Sequence, residues 1–551
     1  MLSTSSRLLL LAVGSLLFSP SAATAQQLQL DKKTAKALQQ VRPADIKAHI
    51  QYLADDRLLG RSPGTPGYQM AVDYVTGQLK SLGIEPAGDE GSFVQRVRLR
   101  RAFSNPATTA LMLRSGTEAP VPLAPAQEFV LYPNPETPSV ALEAPLVFAG
   151  YGISAPELQY DDYAGLDVQG KIVVVMRGAP RAFPSTVAAA SQDVLAILQN
   201  AARHGAVGVL LASPNPKAPM PNFKQGVYSV LGADGKVAAS RSYAAGVKVL
   251  GALNAATLQS LLGTAATDTG AVFTALKAGR PASVALRSAA KVSNISTYQE
   301  VESYNVVGKL TGSDARLRDE YVVHSAHLDH LGVGAPVKGD SIYNGAHDNA
   351  SGVASVLEIA RIYTSLPQKP RRSVLFVLQT GEELGLLGSA YFAARPTVPK
   401  EKIVADINTD MPTIIAPLLS VVALGAQHSS LSQPVNQAAD YLKLSVENDP
   451  EPEQNRFIRS DQYSFVVQGI PALHIKYGNK TADGKNDLSK TVQAWRATTY
   501  HKPQDDINGT FDFEAGKKYV QLNFLIGYQV AQAEQRPTWN SGDFFGTRFG
   551  K

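Results

Sequence analysis

The sequence predicts an α/β layered domain interrupted by a β-rich insert, and three observations carry that prediction. From Tyr304 onward, short apolar runs alternate with stretches of helical periodicity, the pattern of strands and helices packed in layers. Upstream of this, after a Pro-rich zone near 118–144, the texture changes to strand-like segments such as Val147-Phe-Ala-Gly-Tyr-Gly and Lys171-Ile-Val-Val-Val-Met-Arg, with few helices. Earlier still, Ile46, Ile50 and Leu53, then Ala71, Val75 and Leu79, recur at helical spacing on either side of a Gly/Pro loop, Leu59–Gly67.

Taken in order, residues 1–25 read as a signal peptide. Arg7 precedes an eleven-residue apolar run, Leu8 to Phe18, and Ala23-Thr24-Ala25 forms an A-x-A cleavage site. Eleven residues fall short of the roughly 20 that span a bilayer, so cleavage is expected and no membrane anchorage after it. The chain has no cysteine, which excludes disulfides and lipid attachment through a thiol. Such an exported chain points to a bacterial periplasm or the medium. The expected organisation continues with 26–135 as the N-terminal part of the main domain, 136–290 as the insert, 291–536 as the remainder and 537–551 as a loose tail. Strands are expected at Asn305–Leu310, Tyr321–Ser325, Ser373–Gln379, Val404–Ile407, Leu419–Leu424 and Ala472–Lys476, with a closing helix from Phe513 to Gln535.

Charge narrows the function. A net charge of +5 is small for 551 residues, and no Lys/Arg run interleaved with aromatics occurs. A nucleic-acid partner is therefore not expected. After the first 25 residues no apolar run reaches membrane-spanning length.

Five stretches carry metal-ligand residue types in order: His327, Asp348, Glu382-Glu383, Asp410 and His501. Imidazole nitrogens and carboxylate oxygens suit a borderline cation such as Zn²⁺, and a bridging carboxylate holds two. Four of the nine histidines, His324, His327, His330 and His347, fall within 24 residues. His324 lies on a strand and reads as core, whereas His330 and His347 read as rim groups or alternative ligands. Asp329, two residues beyond His327, is a natural orienting group for its ring. Asp348 precedes a helix, where a carboxylate alone reads as an N-cap; among four further candidate ligands it reads as a metal ligand. Of two adjacent glutamates, one suits a metal and the other suits proton transfer from a bound water.

The segments Ser325-Ala-His-Leu-Asp329, Gly345-Ala-His-Asp-Asn-Ala-Ser-Gly352, Thr380-Gly-Glu-Glu-Leu-Gly-Leu-Leu-Gly-Ser389, Asn408-Thr-Asp-Met411 and Tyr500-His-Lys-Pro503 resemble the M28 family of zinc metallopeptidases. Val147–Gly152 and Asp161–Val175 of the insert resemble a protease-associated (PA) domain. The resemblance implies a three-layer α/β/α mixed-sheet exopeptidase domain acting on peptide substrates. It implies two Zn²⁺ per chain bridged by Asp348, one completed by His327 and Asp410, the other by Glu383 and His501. Glu382 is then the general base for attack by metal-bound hydroxide at the N-terminal peptide bond, and Tyr500 the donor to the oxyanion. Two positions depart from the family pattern: His347 stands where an acidic residue is common, and Gln462 where histidine is expected. Other readings of the same scaffold are a carboxypeptidase or dipeptidase using Arg456 and Arg459, a glutaminyl cyclase, or a catalytically inactive binding protein.

Overall fold

The computed structural model describes residues 27–265 and 268–550, so the expected signal peptide lies outside the described residues. Its centre is a mixed sheet. The strand Tyr321–His327 pairs in parallel with Ser373–Gln379 on one side and with Ile403–Asn408 on the other. Ala472–Tyr477 continues the parallel set, and Ser420–Leu424 closes it antiparallel. On the opposite flank Ser373–Gln379 pairs antiparallel with the C-terminal part of a 27-residue strand, Val284–Leu310, which pairs in turn with Val94–Ser104.

Both faces of this sheet are covered, which is why its strands read as near-continuous apolar runs. Along Ser373–Gln379 every residue is buried. Val374, Phe376 and Leu378 enter one core with the helices Pro43–Leu53, Pro66–Ser81, Ser351–Thr364 and Phe513–Gln532. Leu375 and Val377 enter the other, against Phe392, Phe465 and the apolar side of the insert. Alternate side chains of one strand thus serve two helical layers, giving the three-layer α/β/α arrangement.

A second sheet is built on the N-terminal half of the long strand. Ser139–Phe148 pairs with Val284–Ile295, and Ile172–Met176, Gly208–Ala212 and Val249–Leu253 extend it in parallel. Ala110–Ser115 and Phe129–Leu131 belong to this second sheet through Ser288–Ser293 and Gly251–Leu253. Residues 290 and 291 lie side by side within one unbroken strand.

The tail is not loose. Phe544–Phe549 is a helix capped by Asp543, Phe545 is fully buried, and the Asp543 carboxylate meets His428 Nδ1 at 2.7 Å. Trp539 donates its indole N–H to the Gly469 carbonyl at 3.0 Å. The apolar residues Phe544 and Phe545 explain the difference, because burying one such ring is worth about 1.5–3 kcal/mol.

Candidate metal centre

His327 stands at the C-terminal end of the central strand, where ligands of open α/β sheets collect. The neighbouring strand ends at Gln379, and Gly381 (φ 70°) turns the chain so that Glu382 and Glu383 follow at the same edge. Asp410 lies just beyond the strand Ile403–Asn408. Asp348 comes from the turn preceding the helix Ser351–Thr364, and His501 from the segment after the helix Leu488–Thr499.

The structure brings all of these together. His327 Nε2 is 3.2 Å from Asp348 Oδ1 and 3.5 Å from Asp410 Oδ1. His501 Nε2 is 3.1 Å from Asp348 Oδ2 and 3.2 Å from Glu383 Oε2. Asp348 therefore turns one oxygen toward each imidazole. It does not cap the helix: the Asn349 carboxamide oxygen accepts the Gly352 N–H at 3.0 Å instead.

These groups fit a divalent cation. His327 Nε2 is buried beside two carboxylate oxygens yet makes no hydrogen bond, so the atoms converge on a shared point rather than on each other. Ligand atoms of His327, Asp348 and Asp410 lie within 4.8 Å of one another, as do those of His330, Asp348 and Glu383. Nitrogen and oxygen donors in this proportion suit zinc.

Electrostatics reflect the crowding. Burial opposes a charge on His327, but Glu382, Asp348 and Asp410 outweigh it and hold the imidazole well above its ordinary range. Against burial, the Asp348 and Glu383 carboxylates lift His501 to about 10. Burial, together with the Glu383, Asp410 and Asp461 carboxylates, pushes Glu382 well above the usual carboxylate range. Burial and the Asp348 and Glu383 charges likewise raise the Tyr500 phenol, so it keeps its proton. The Tyr500 ring stacks on His501 at 3.8 Å, and the Arg496 guanidinium lies 3.8 Å from the Tyr500 ring centroid.

Asp329 orients the site differently from expectation. His327 Nδ1 donates to the Asp329 main-chain carbonyl at 3.1 Å, while the carboxylate lies 3.9 Å away. That carboxylate accepts the N–H groups of Glu382 at 3.1 Å and Glu383 at 3.3 Å, fixing the turn that carries both glutamates. His324 is core, buried against Tyr363, and desolvation drops it to about 3. His347 is packed away from the ligands, stacked on Phe511 at 4.0 Å with Nε2 toward the Thr510 carbonyl. Gln462 holds Asn408 through its carboxamide oxygen at 2.9 Å.

Three supports escaped sequence reasoning. Asp505 accepts the main-chain N–H groups of His347 at 2.9 Å and Asp348 at 3.0 Å. Buried Lys476 donates to the carbonyls of Asp410 at 2.7 Å and Met411 at 3.1 Å, and His474 Nε2 also meets the former. The fully buried Arg61 guanidinium donates to the carbonyls of Leu53, Leu328, Asn344 and Gly345. Only Asp505, four residues past His501, left a signal: a carboxylate close to a candidate ligand.

Residues 305–518 match the model of peptidase family M28, and residues 142–251 that of the PA domain. A probable zinc metalloprotease of Pyrenophora teres f. teres (strain 0-1) is 37% identical over 243 residues, 42% of this chain and 50% of the relative. The chain thus spans about half the length of that relative. A probable lipoprotein aminopeptidase, LpqL, of Mycobacterium tuberculosis (strain ATCC 25618 / H37Rv) is 26% identical over 489 residues, 84% of this chain and 80% of its own length. Among solved structures, an aminopeptidase from Aneurinibacillus sp. strain AM-1 aligns with a TM-score of 0.48 at 20% identity, covering 90% of this chain and 95% of that one.

Proposed function

Because the chain belongs to peptidase family M28 through residues 305–518, we propose that it is a secreted or periplasmic two-zinc exopeptidase that releases residues from the N-termini of peptides. The observation that carries the reading is the division of Asp348, whose two oxygens face two separate histidines. On this reading one ion is held by His327, Asp348 and Asp410, the other by Asp348, Glu383 and His501. When bound, zinc polarises a carbonyl and lowers the pKa of water from 15.7 to about 7.

The remaining chemistry belongs to the chain. Glu382 is the general base: its carboxylate accepts a proton from the attacking water and returns it to the leaving amine. The Asp329 carboxylate holds the Glu382 main chain, so the base is aimed by a fixed turn. Tyr500, whose phenol stays protonated, is the donor to the developing oxyanion. The insert at 136–290 and the signal peptide at 1–25 complete the proposed organisation.

A second reading, release of C-terminal residues, is favoured by one observation. Arg456 is neutralised by Asp449 and Glu451, but Arg496 lies over the Tyr500 ring and is paired with no carboxylate among the described residues. A cation without a carboxylate partner suits a substrate carboxylate.

Incubating the metal-loaded protein with one peptide, its N-acetylated form and its C-amidated form, with products followed by mass spectrometry, separates the readings. Stepwise N-terminal loss that acetylation blocks and a chelator stops is the expected result. Cleavage that survives acetylation but stops on amidation replaces it with the second reading.

A further inference from the structure

We propose that His330 is a positioning residue for Glu383, selecting which carboxylate oxygen is offered to a metal. The inference rests on the two-ion reading above. His330 is 1% exposed, and its Nδ1 lies 2.7 Å from Glu383 Oε1. A carboxylate only accepts, so the proton sits on Nδ1 and the ring donates. Oε1 is thereby engaged, and Oε2 is the oxygen left 3.2 Å from His501 Nε2. The two oxygens of Glu383 are sorted as those of Asp348 are, but by an imidazole that stands outside the proposed ligand set.

The surroundings show that this ring is built in rather than tolerated. His330 Nε2 is buried without a hydrogen-bond partner, so the single hydrogen bond of this ring is the one from Nδ1 to Glu383. Its main-chain N–H reaches the Arg61 carbonyl at 3.3 Å, which ties it to the buried guanidinium under the site. Gly345 makes room for it: a Cβ there would lie 2.5 Å from the His330 ring. The ring also meets His501 edge-on, with centroids 5.8 Å apart. Partners of this kind orient a ligand, and their loss typically lowers metal affinity about 10–100-fold.

The test measures metal binding, not turnover alone. Wild type, His330→Phe and His330→Gln are stripped of metal and titrated with Zn²⁺ against a chromophoric chelator. The expected result is two ions on the wild type, with one of them bound about 10–100-fold more weakly by His330→Phe and the other unchanged. Because glutamine retains an N–H donor, His330→Gln should recover most of that loss. Unchanged binding of both ions in His330→Phe, equal weakening of both, or no recovery in His330→Gln would overturn the proposal. Fewer than two ions on the wild type removes the two-ion reading and leaves the positioning claim to a second measurement. That measurement is the imidazole ¹⁵N resonance of His330 in the wild-type protein, which also serves if His330→Phe does not fold. A proton on Nδ1 whose resonance shifts in Glu383→Ala supports the proposal, and a proton on Nε2 overturns it.

Discussion

Asp505 accepts the main-chain N–H of Asp348 at 3.0 Å across 157 positions of sequence, and the N–H of His347 with its other oxygen. The segment that carries His501 is thereby clamped to the turn that carries Asp348. Asp505→Ala leaves two buried donors unsatisfied, at about 1–3 kcal/mol each. Urea denaturation of the metal-free variant should show a loss of about 2–6 kcal/mol for the two together, and chelator competition should show weaker metal binding. Wild-type values in both would mean that the clamp is redundant.

Glu382→Gln removes the proposed base and keeps its shape. Turnover should fall about 10²–10⁴-fold, with metal content by atomic absorption equal to that of the wild type. Retained turnover in a fully metallated variant would take Glu382 out of this role.

The metal-free protein should show a pH dependence traceable to His501. That imidazole titrates near 6.5 when unperturbed and near 10 in the fold. A raised folded value means that its contribution to stability is complete below about pH 6.5 and is lost as pH rises through about 10. Denaturation midpoints of the metal-free chain should therefore fall over that window, and His501→Asn should flatten the slope. Metal must displace the same proton, so apparent zinc affinity should climb across the same interval.

Gly345→Ala tests the turn before Asp348. The residue has φ 61°, and a Cβ would lie 2.1 Å from the Asp348 carbonyl oxygen and 2.5 Å from His330. Since neither contact is with a flexible side-chain end, both must shift. Metal binding should drop more than for any surface substitution, with circular dichroism reporting a retained fold. An alanine variant that binds metal normally would show that the turn has slack.

The ligand types were legible because chemistry restricts them: few residues hold a cation, and His327, Asp348, Glu383, Asp410 and His501 stand out by type and order. The central strands were legible for a related reason, since a strand buried on both faces has a nearly continuous apolar run. What stayed hidden is held by main-chain geometry. Lys476 and Arg61 act on carbonyls, which every residue possesses, so no spacing announces them. The tail was misread because polar neighbours dilute Phe544 and Phe545, and only the cavity that receives them reveals their worth. The long strand had a faint signature, a stretch from Ser283 to Val307 without Gly or Pro to break it.

That strand, Val284–Leu310, has a practical consequence for anyone dissecting the protein. Its first half is paired to Ser139–Phe148 and its second to Val94–Ser104, so there is no hinge at which the two sheets part. A scission near residue 291 would cut a ladder rather than a linker. Each fragment would then carry a raw sheet margin with unpaired N–H and C=O groups, the kind of surface that recruits other chains. Separately expressed pieces should therefore aggregate, and any breathing between insert and catalytic layers must take the form of a gradual flexing along one continuous ribbon.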